Sequence, residues 1–244
     1  TRLLGTSAND YATAITTGLD GSIYVSGLTA GSLDGQTNSS GETDAFLTKY
    51  SADGTKAWTK LLGTSVSETA SALTTGLDGS IYVSGWTNGS LDGQTNNGQN
   101  DAFLTKYAAD GTKVWTSLLG TSDYEVAHAL TTGLDGSIYV SGWLDNSLDG
   151  QPNNGGNDSF LTKYSADGTK AWTKQFGTST DDRAQALTTG LDGSIYVSGY
   201  TNGSLDGQTN SGLYDAFLTK YSADGTKAWT KLLGTSGNEL ALAL

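Results

Sequence analysis

An all-β chain folded as a β-propeller of four tandem blades is what this 244-residue sequence predicts, and three observations predict it. The first is repetition. The twelve residues Thr-Thr-Gly-Leu-Asp-Gly-Ser-Ile-Tyr-Val-Ser-Gly stand unchanged at 16–27, 74–85, 131–142 and 188–199, spaced by 58, 57 and 57 residues, and self-similarity at such a period marks a repeat architecture. The second is that each repeat holds four short runs of strand character parted by turn residues, the pattern of consecutive hairpins. The third is composition: 34 Gly, one Pro, and 21 Asp against 4 Glu place most carboxylates in turns rather than on helix faces.

The second repeat shows the elements in order. Strand A is expected over 69–75, followed by Leu77-Asp78-Gly79-Ser80, an Asp-Gly pair whose tolerance of positive φ suits a tight hairpin. Strand B is expected over 81–86. A polar stretch, 87–100, leads to strand C at 102–107, which turns at Ala109-Asp110-Gly111-Thr112 into strand D at 113–119. Phe-Leu-Thr-Lys-Tyr recurs from Phe46, Phe103, Phe160 and Phe217, with a Trp twelve residues beyond each Phe, at Trp58, Trp115, Trp172 and Trp229. These never vary and read as core. Four antiparallel strands per repeat describe a propeller blade; a β-solenoid of parallel coils is the rival, and the Asp-Gly hairpins count against it.

The units run approximately 8–65, 66–122, 123–179 and 180–236 within one propeller domain, with partial strand copies at 1–7 and 237–244. Residues 1–15 align with 230–244 as a diverged copy, in which Arg2, a solvated charge, stands opposite Lys231. A closed four-bladed ring uses one copy and leaves the other as an unpaired edge open to another chain. Two readings follow: a stretch of a longer array, or strand exchange between chains that gives an oligomer.

Each repeat reads Gly-Thr-Ser, then an acid, then Ala-x-Ala followed by an apolar residue and the invariant twelve. This pattern resembles the SBBP repeat, a propeller-blade family of large bacterial cell-surface and secreted proteins, cyanobacterial ones among them. The resemblance covers essentially the whole chain. It implies a propeller on an extracellular or surface protein and carries no enzyme signature. The segment Ala-Asp-Gly-Thr-Lys-x-Trp is also similar to the Trp-docking segment of quinone-enzyme propellers, which implies a structural Trp rather than a cofactor site.

A net charge of -12 repels phosphate backbones and anionic lipid, so nucleic acid is not an expected partner. No apolar run approaches the roughly 20 residues needed to span a bilayer, and the first residues lack a charged-then-apolar signal pattern, so neither membrane insertion nor a targeting segment is expected. The absence of Cys excludes disulfides, thiol nucleophiles and zinc–thiolate sites, and agrees with an extracellular bacterial origin. Absence of Met, even at position 1, suggests excision from something longer. The one His, His128, takes a strand-A position held elsewhere by Thr13, Ser71 and Gln185, and reads as a drifted polar residue. No Ser or Thr has an evident His and Asp to activate it, so no enzyme is expected. Arg183 reads as an ion-pair partner of Asp181 and Asp182.

Variation among the repeats is confined to one face of the expected propeller. The A-to-B and C-to-D turns are nearly identical in all units, whereas the D-to-A and B-to-C loops differ, and loops on a rigid scaffold are where binding resides. After strand B stand Leu28, Trp86, Trp143 and Tyr200, beside Asn88, Asp145, Asn146 and Asn202. Trp86, Trp143 and Tyr200 form a candidate site for a glycan or protein ligand, with Asn88, Asp145 and Asn202 as polar partners; gap-filling between blades is the alternative.

Two sets of carboxylates repeat. Asp10, Glu68, Glu125, Asp182 and, in the overlap, Glu239 precede strand A; there they either ring a channel mouth that a cation neutralises or cap backbone amides. The B-to-C loops are bracketed by Asp34 and Asp44, Asp92 and Asp101, Asp149 and Asp158, and Asp206 and Asp215. Alternate oxygen side chains in these loops suggest calcium, although the pattern departs from the EF-hand, with Phe103 at its twelfth position in the second unit. Asx turns are the simpler account. Function is thus expected to be non-catalytic binding on a bacterial surface, with a structural or assembly role as the alternative.

Overall fold

The structure, a computed structural model, describes residues 4–39 and 42–244; Arg2 lies outside the described residues. The chain divides into two compact units, 1–120 and 121–244. The first holds blade 1, of β1 (Asp10–Thr17), β2 (Ile23–Thr29), β3 (Asp44–Tyr50) and β4 (Lys56–Leu62), and blade 2, of β5 (Glu68–Thr75), β6 (Ile81–Thr87), β7 (Asp101–Tyr107) and β8 (Lys113–Leu119). The second holds blade 3, of β9 (Glu125–Thr132), β10 (Ile138–Leu144), β11 (Asp158–Tyr164) and β12 (Lys170–Phe176), and blade 4, of β13 (Asp182–Thr189), β14 (Ile195–Thr201), β15 (Asp215–Tyr221) and β16 (Lys227–Leu233). Each blade is a four-stranded antiparallel sheet in sequence order. The expected strands of the second repeat are present and differ from their anticipated ends by at most one residue. Each blade is built wholly from consecutive strands, so the terminal copies complete none of them.

The turns assign different roles to the Asp-Gly pairs. In the A-to-B turn only Gly79 takes positive φ (78°), and Gly76 N–H donates to Ser80 O at 2.8 Å, so this is a longer hairpin with a left-handed Gly. The true two-residue hairpin lies in the B-to-C loop, where both Asp92 (φ 52°) and Gly93 (φ 78°) are left-handed and Leu91 and Gln94 exchange backbone bonds of 3.0 and 2.9 Å. Leu33, Leu91, Leu148 and Leu205, which open these hairpins, are buried and pin each loop to its blade.

Strand A carries a bulge that explains two sequence features. In blade 3, Ser141 pairs with Ala129 and Gly142 with Ala127, so His128 is the extra residue; Thr13, Ser71 and Gln185 occupy the same place. A bulged residue leaves the ladder, which frees this position to vary. Opposite it, a Cβ on Gly85 would lie 1.8 Å from Thr69 O, so the Gly of Val-Ser-Gly is demanded by close approach of backbone.

Within each unit the core forms between blades. One face of blade 1 (Tyr24, Ala45, Leu47, Leu62) packs on the opposite face of blade 2 (Ala70, Ile81, Val83, Phe103, Tyr107). In the second unit Phe176 of blade 3 meets Phe217 edge-on and Tyr221 at a tilt, both at 5.9 Å, on blade 4. Full burial of each such side chain contributes roughly 1.5–3 kcal/mol. Backbone contacts reinforce the packing: Thr13 Oγ1 donates to Ala70 O at 2.6 Å, and Lys49 Nζ to Ala109 O at 3.1 Å.

The repeated Trp residues correct one expectation, because they are half-buried rather than core. Strand D is the outer strand of each sheet, so the indole reaches only the margin of the interior. Trp58 and Trp172 tilt against Tyr24 and Tyr139 at 5.9 Å and pack beneath Gly111 and Gly225 in the C-to-D turn of the following blade. Trp229, with no such turn over it, is 37% exposed. Trp172→Ala is therefore expected to destabilise the fold by about 2–4 kcal/mol, and Trp229→Ala by clearly less, as read by urea unfolding. Equal losses would place the value of the indole within its own blade instead.

Candidate functional site

The acids that precede strand A are drawn into the protein by hydroxyl and amide donors. Glu68 Oε2 accepts Thr64 N–H at 2.7 Å, while its Oε1 accepts the hydroxyls of Thr64 (2.6 Å) and Thr87 (2.7 Å). Glu125 takes Thr121 N–H at 2.7 Å and the same residue's hydroxyl. Asp10 and Asp182 repeat the pattern with Thr6 and Thr178, and Glu239 repeats it with Thr235. These acids therefore act as caps for the loop that enters each blade. The backbone bonds beside them run between blades: Glu68 N–H donates to Thr43 O and Asp182 N–H to Asn157 O, each at 2.7 Å.

Burial makes this arrangement costly, and the cost is concentrated at Asp182. Its removal from water pushes the carboxyl up to about 6; the hydroxyls of Thr201 and Thr178 and Thr178 N–H oppose the rise, and the charge of Asp158 adds to it. A Cβ built on Gly177 would meet Asp158 Oδ1 at 2.2 Å and Asp182 Oδ2 at 3.0 Å, so the two carboxyls flank that glycine. Asp158 Oδ2 accepts from Asn154 and Gln175, whereas its buried Oδ1 has no partner. Burial likewise raises Asp44, Asp101 and Glu68 above the usual carboxylate range.

The loop-opening acids have a different environment. Asp34 meets Lys56 and Thr59, Asp92 meets Lys113 and Thr116, Asp149 meets Lys170, and Asp206 meets Lys227 and Thr230. For Asp34, Asp149 and Asp206 partial burial acts upward, and the Lys and Thr bonds outweigh it and hold the carboxyl low. The loop-closing acids cap loop amides instead, Asp101 at Asn97 N–H (3.1 Å) and Asp215 at Ser211 N–H (2.9 Å). The two acids that bracket a loop are thus engaged by separate partners. Among the described residues no group of three or more His, Cys, Asp or Glu is placed to hold a metal ion.

The variable loops do share a face, because they are laced together. Asn88 N–H donates to Ser67 O (3.0 Å), Asp145 N–H to Tyr124 O (3.2 Å) and Asn202 N–H to Asp181 O (2.9 Å), which joins each B-to-C loop to the D-to-A loop of its own blade. Asn88, Asp145 and Asn202 are exposed, and Asp145 also accepts Tyr124 N–H at 2.9 Å. Trp86, Trp143 and Tyr200 are half-buried at the ends of their strands. Trp143 Nε1 donates to His128 Nε2 at 3.0 Å. That bond requires a neutral imidazole, and burial followed by the charge of Arg183 holds His128 down at about 4.

Arg183 is a second correction. Among the described residues it joins no ion pair; its guanidinium lies 4.5 Å from the centre of the Trp143 ring, and its buried Nε has no hydrogen-bond partner. Arg183 pairs across the sheet with Tyr200, and Asp181 Oδ1 instead accepts the backbone and side-chain N–H groups of Asn157. Arg183 and Tyr200 line a concavity of about 270 Å³ with Tyr214, Asp181, Asn238 and Leu240. Tyr200 and Tyr214 meet edge-on at 5.2 Å. Sequence reasoning put forward Tyr200 as a candidate, did not name Tyr214, and gave Arg183 an ion-pair role. The available signal was that blade 4 departs from the other repeats at these positions, with Tyr214 where they have Thr43, Asn100 and Asn157.

Residues 171–206 match the model of the SBBP family, a beta-propeller repeat. The chain is 32% identical over 231 residues to the regulatory protein FlaEY of Caulobacter vibrioides, a match that covers 82% of this chain and 24% of that protein. It thus spans about a quarter of the length of that relative. Among solved structures it is similar to the Pan2 WD40 domain of Neurospora crassa, at a TM-score of 0.49 and 10% identity over 91% of this chain and 50% of that one. A catalytically inactive virginiamycin B lyase from Staphylococcus aureus, with quinupristin, is similar at a TM-score of 0.48 and 12% identity, covering 96% and 73%.

The raised Asp182 sets a pH signature. Its folded form binds the proton more tightly than the unfolded chain, so stability from this group is greatest below about pH 4 and falls as pH rises to about 6. The penalty at pH 7 is on the order of 2–3 kcal/mol. Asp182→Asn keeps an acceptor for Thr178 and removes that penalty. The melting temperature of the variant is expected to gain on the parent between pH 4 and pH 7; a constant offset across that range would refute the buried-acid assignment.

Proposed function

We propose that this chain, built of β-propeller repeats of the SBBP type, is a non-catalytic binding module of a bacterial extracellular or surface protein that engages a glycan through its variable loop face. The observation that carries this reading is the Arg183 concavity. A guanidinium without a carboxylate partner, two tyrosines and an exposed Asn converge on it, and all lie on loops or strand ends of the variable face. Tyrosine rings offer an apolar wall to a sugar ring, and the phenols and Asn238 match its hydroxyls. The unpaired guanidinium favours a sugar that carries a carboxylate. Support for a role without catalysis comes from the one His, which is occupied by Trp143, and from the absence of Cys.

The test is a glycan-array screen of the purified chain followed by calorimetry on the best acidic saccharide. Retention on acidic sugars is expected, with affinity reduced about tenfold or more by Arg183→Gln and by Tyr214→Asn, which installs the residue of the preceding repeat. Binding that survives both variants would move the site elsewhere, and silence across the array would sink the glycan reading.

A further inference from the structure

The Arg183 concavity holds a second charged side chain. Asp182 and Ala184 are both at 0% exposure, and side chains alternate along an extended chain, so Asp181 and Arg183 stand on the opposite face. Tyr200, the cross-strand partner of Arg183, stands beside them. Both charged residues line the concavity of about 270 Å³. Two positions apart in extended chain, their Cα atoms are separated by about 7 Å.

Neither charge is neutralised within the protein. Asp181 Oδ1 accepts the backbone and side-chain N–H groups of Asn157 at 3.1 and 2.8 Å, and among the described residues no donor meets its Oδ2. The guanidinium of Arg183 lies 4.5 Å from the centre of the Trp143 ring, and its Nε has no hydrogen-bond partner. Two opposite charges therefore share one wall without pairing. Tyr200 and Tyr214, edge-on to each other at 5.2 Å, add two aromatic rings to that wall.

We propose that the occupant of this concavity is a zwitterionic amino sugar acid, whose carboxylate meets Arg183 and whose ammonium meets Asp181 and the face of a tyrosine. The proposal rests on the acidic-glycan reading above and narrows it to a sugar that carries both charges. A sugar with a carboxylate alone places a second anion beside Asp181, and like charges brought together cost affinity. A sugar with an ammonium alone meets the same obstacle at Arg183. Carrying both charges turns each repulsion into an attraction. Hydroxyls, which every sugar has, can donate to Oδ2 but leave its charge uncompensated, and a bond between charged partners is the stronger one. The ammonium also gains from the tyrosines, since a cation within about 6 Å of an aromatic ring centre is drawn to its face. Side chains rooted about 7 Å apart reach neighbouring substituents of one pyranose ring, so a single sugar unit supplies both charges.

The test is NMR titration of the full chain at neutral pH with three related probes. Muramic acid is glucosamine bearing a lactyl carboxylate; N-acetylmuramic acid has its amine capped as an amide; glucosamine lacks the carboxylate. Muramic acid is expected to bind about tenfold or more tighter than either of the others. Asp181→Asn keeps a carbonyl oxygen for Asn157 and removes the charge, and is expected to abolish the preference over N-acetylmuramic acid. Arg183→Gln is expected to abolish the preference over glucosamine. Circular dichroism melts verify that both variants fold. N-acetylmuramic acid that binds the parent as tightly as muramic acid would overturn the proposal and leave the acidic-glycan reading in place, as would a preference that survives Asp181→Asn. Silence with all three probes overturns the proposal as well, and the glycan array then decides the wider reading: retention of other acidic saccharides upholds it, and an empty array removes both.

Discussion

The blades of each unit are joined through a carboxylate that has been taken out of water. At the head of strand A, Glu68 and Asp182 bind the amide and hydroxyl of the Gly-Thr-Ser loop, and Glu68 also binds the Thr that ends strand B. Three elements separated along the chain are thereby held at one point. The neighbouring backbone bonds, to Thr43 O and Asn157 O, then tie the head of the strand to the blade before it. A buried acid is tolerable only when its oxygens are supplied with donors. Here Thr provides them, which gives a physical reason for Thr in Gly-Thr-Ser and at the end of strand B.

The same junction limits what the acids can do otherwise. A carboxylate held by hydroxyl and amide donors is a structural acceptor, and Asp182, whose Oδ2 takes both donors of Thr178 while its buried Oδ1 has no partner, is raised by burial and spends part of the pH range protonated. The loop-opening acids are held by Lys and Thr of strand D. Arg183 is the group that the repeat pattern does not provide for: it stands where the other strands A have Tyr11, Thr69 and Val126, and its guanidinium meets a ring in place of an acid. Departure from the repeat at one blade thus places an asymmetric concavity on a scaffold of near-identical parts.

The sequence by itself determined the blades. Period, Asp-Gly turns and the Phe-Leu-Thr-Lys-Tyr runs gave four strands to each repeat and placed those of the second repeat to within a residue, because hairpins are local and their turn residues act over four or five positions. It also indicated that the variable B-to-C and D-to-A loops meet on one face. It could not decide which strand-A residue is bulged, that the repeated Trp are marginal rather than core, or that Arg183 leaves Asp181 for Trp143. Those outcomes depend on which residue faces which across a sheet and on what the next blade covers. Contacts of that kind join residues about 40 to 90 positions apart, as between Arg183 and Trp143 or Lys163 and Ala223, and only the tertiary structure brings them together.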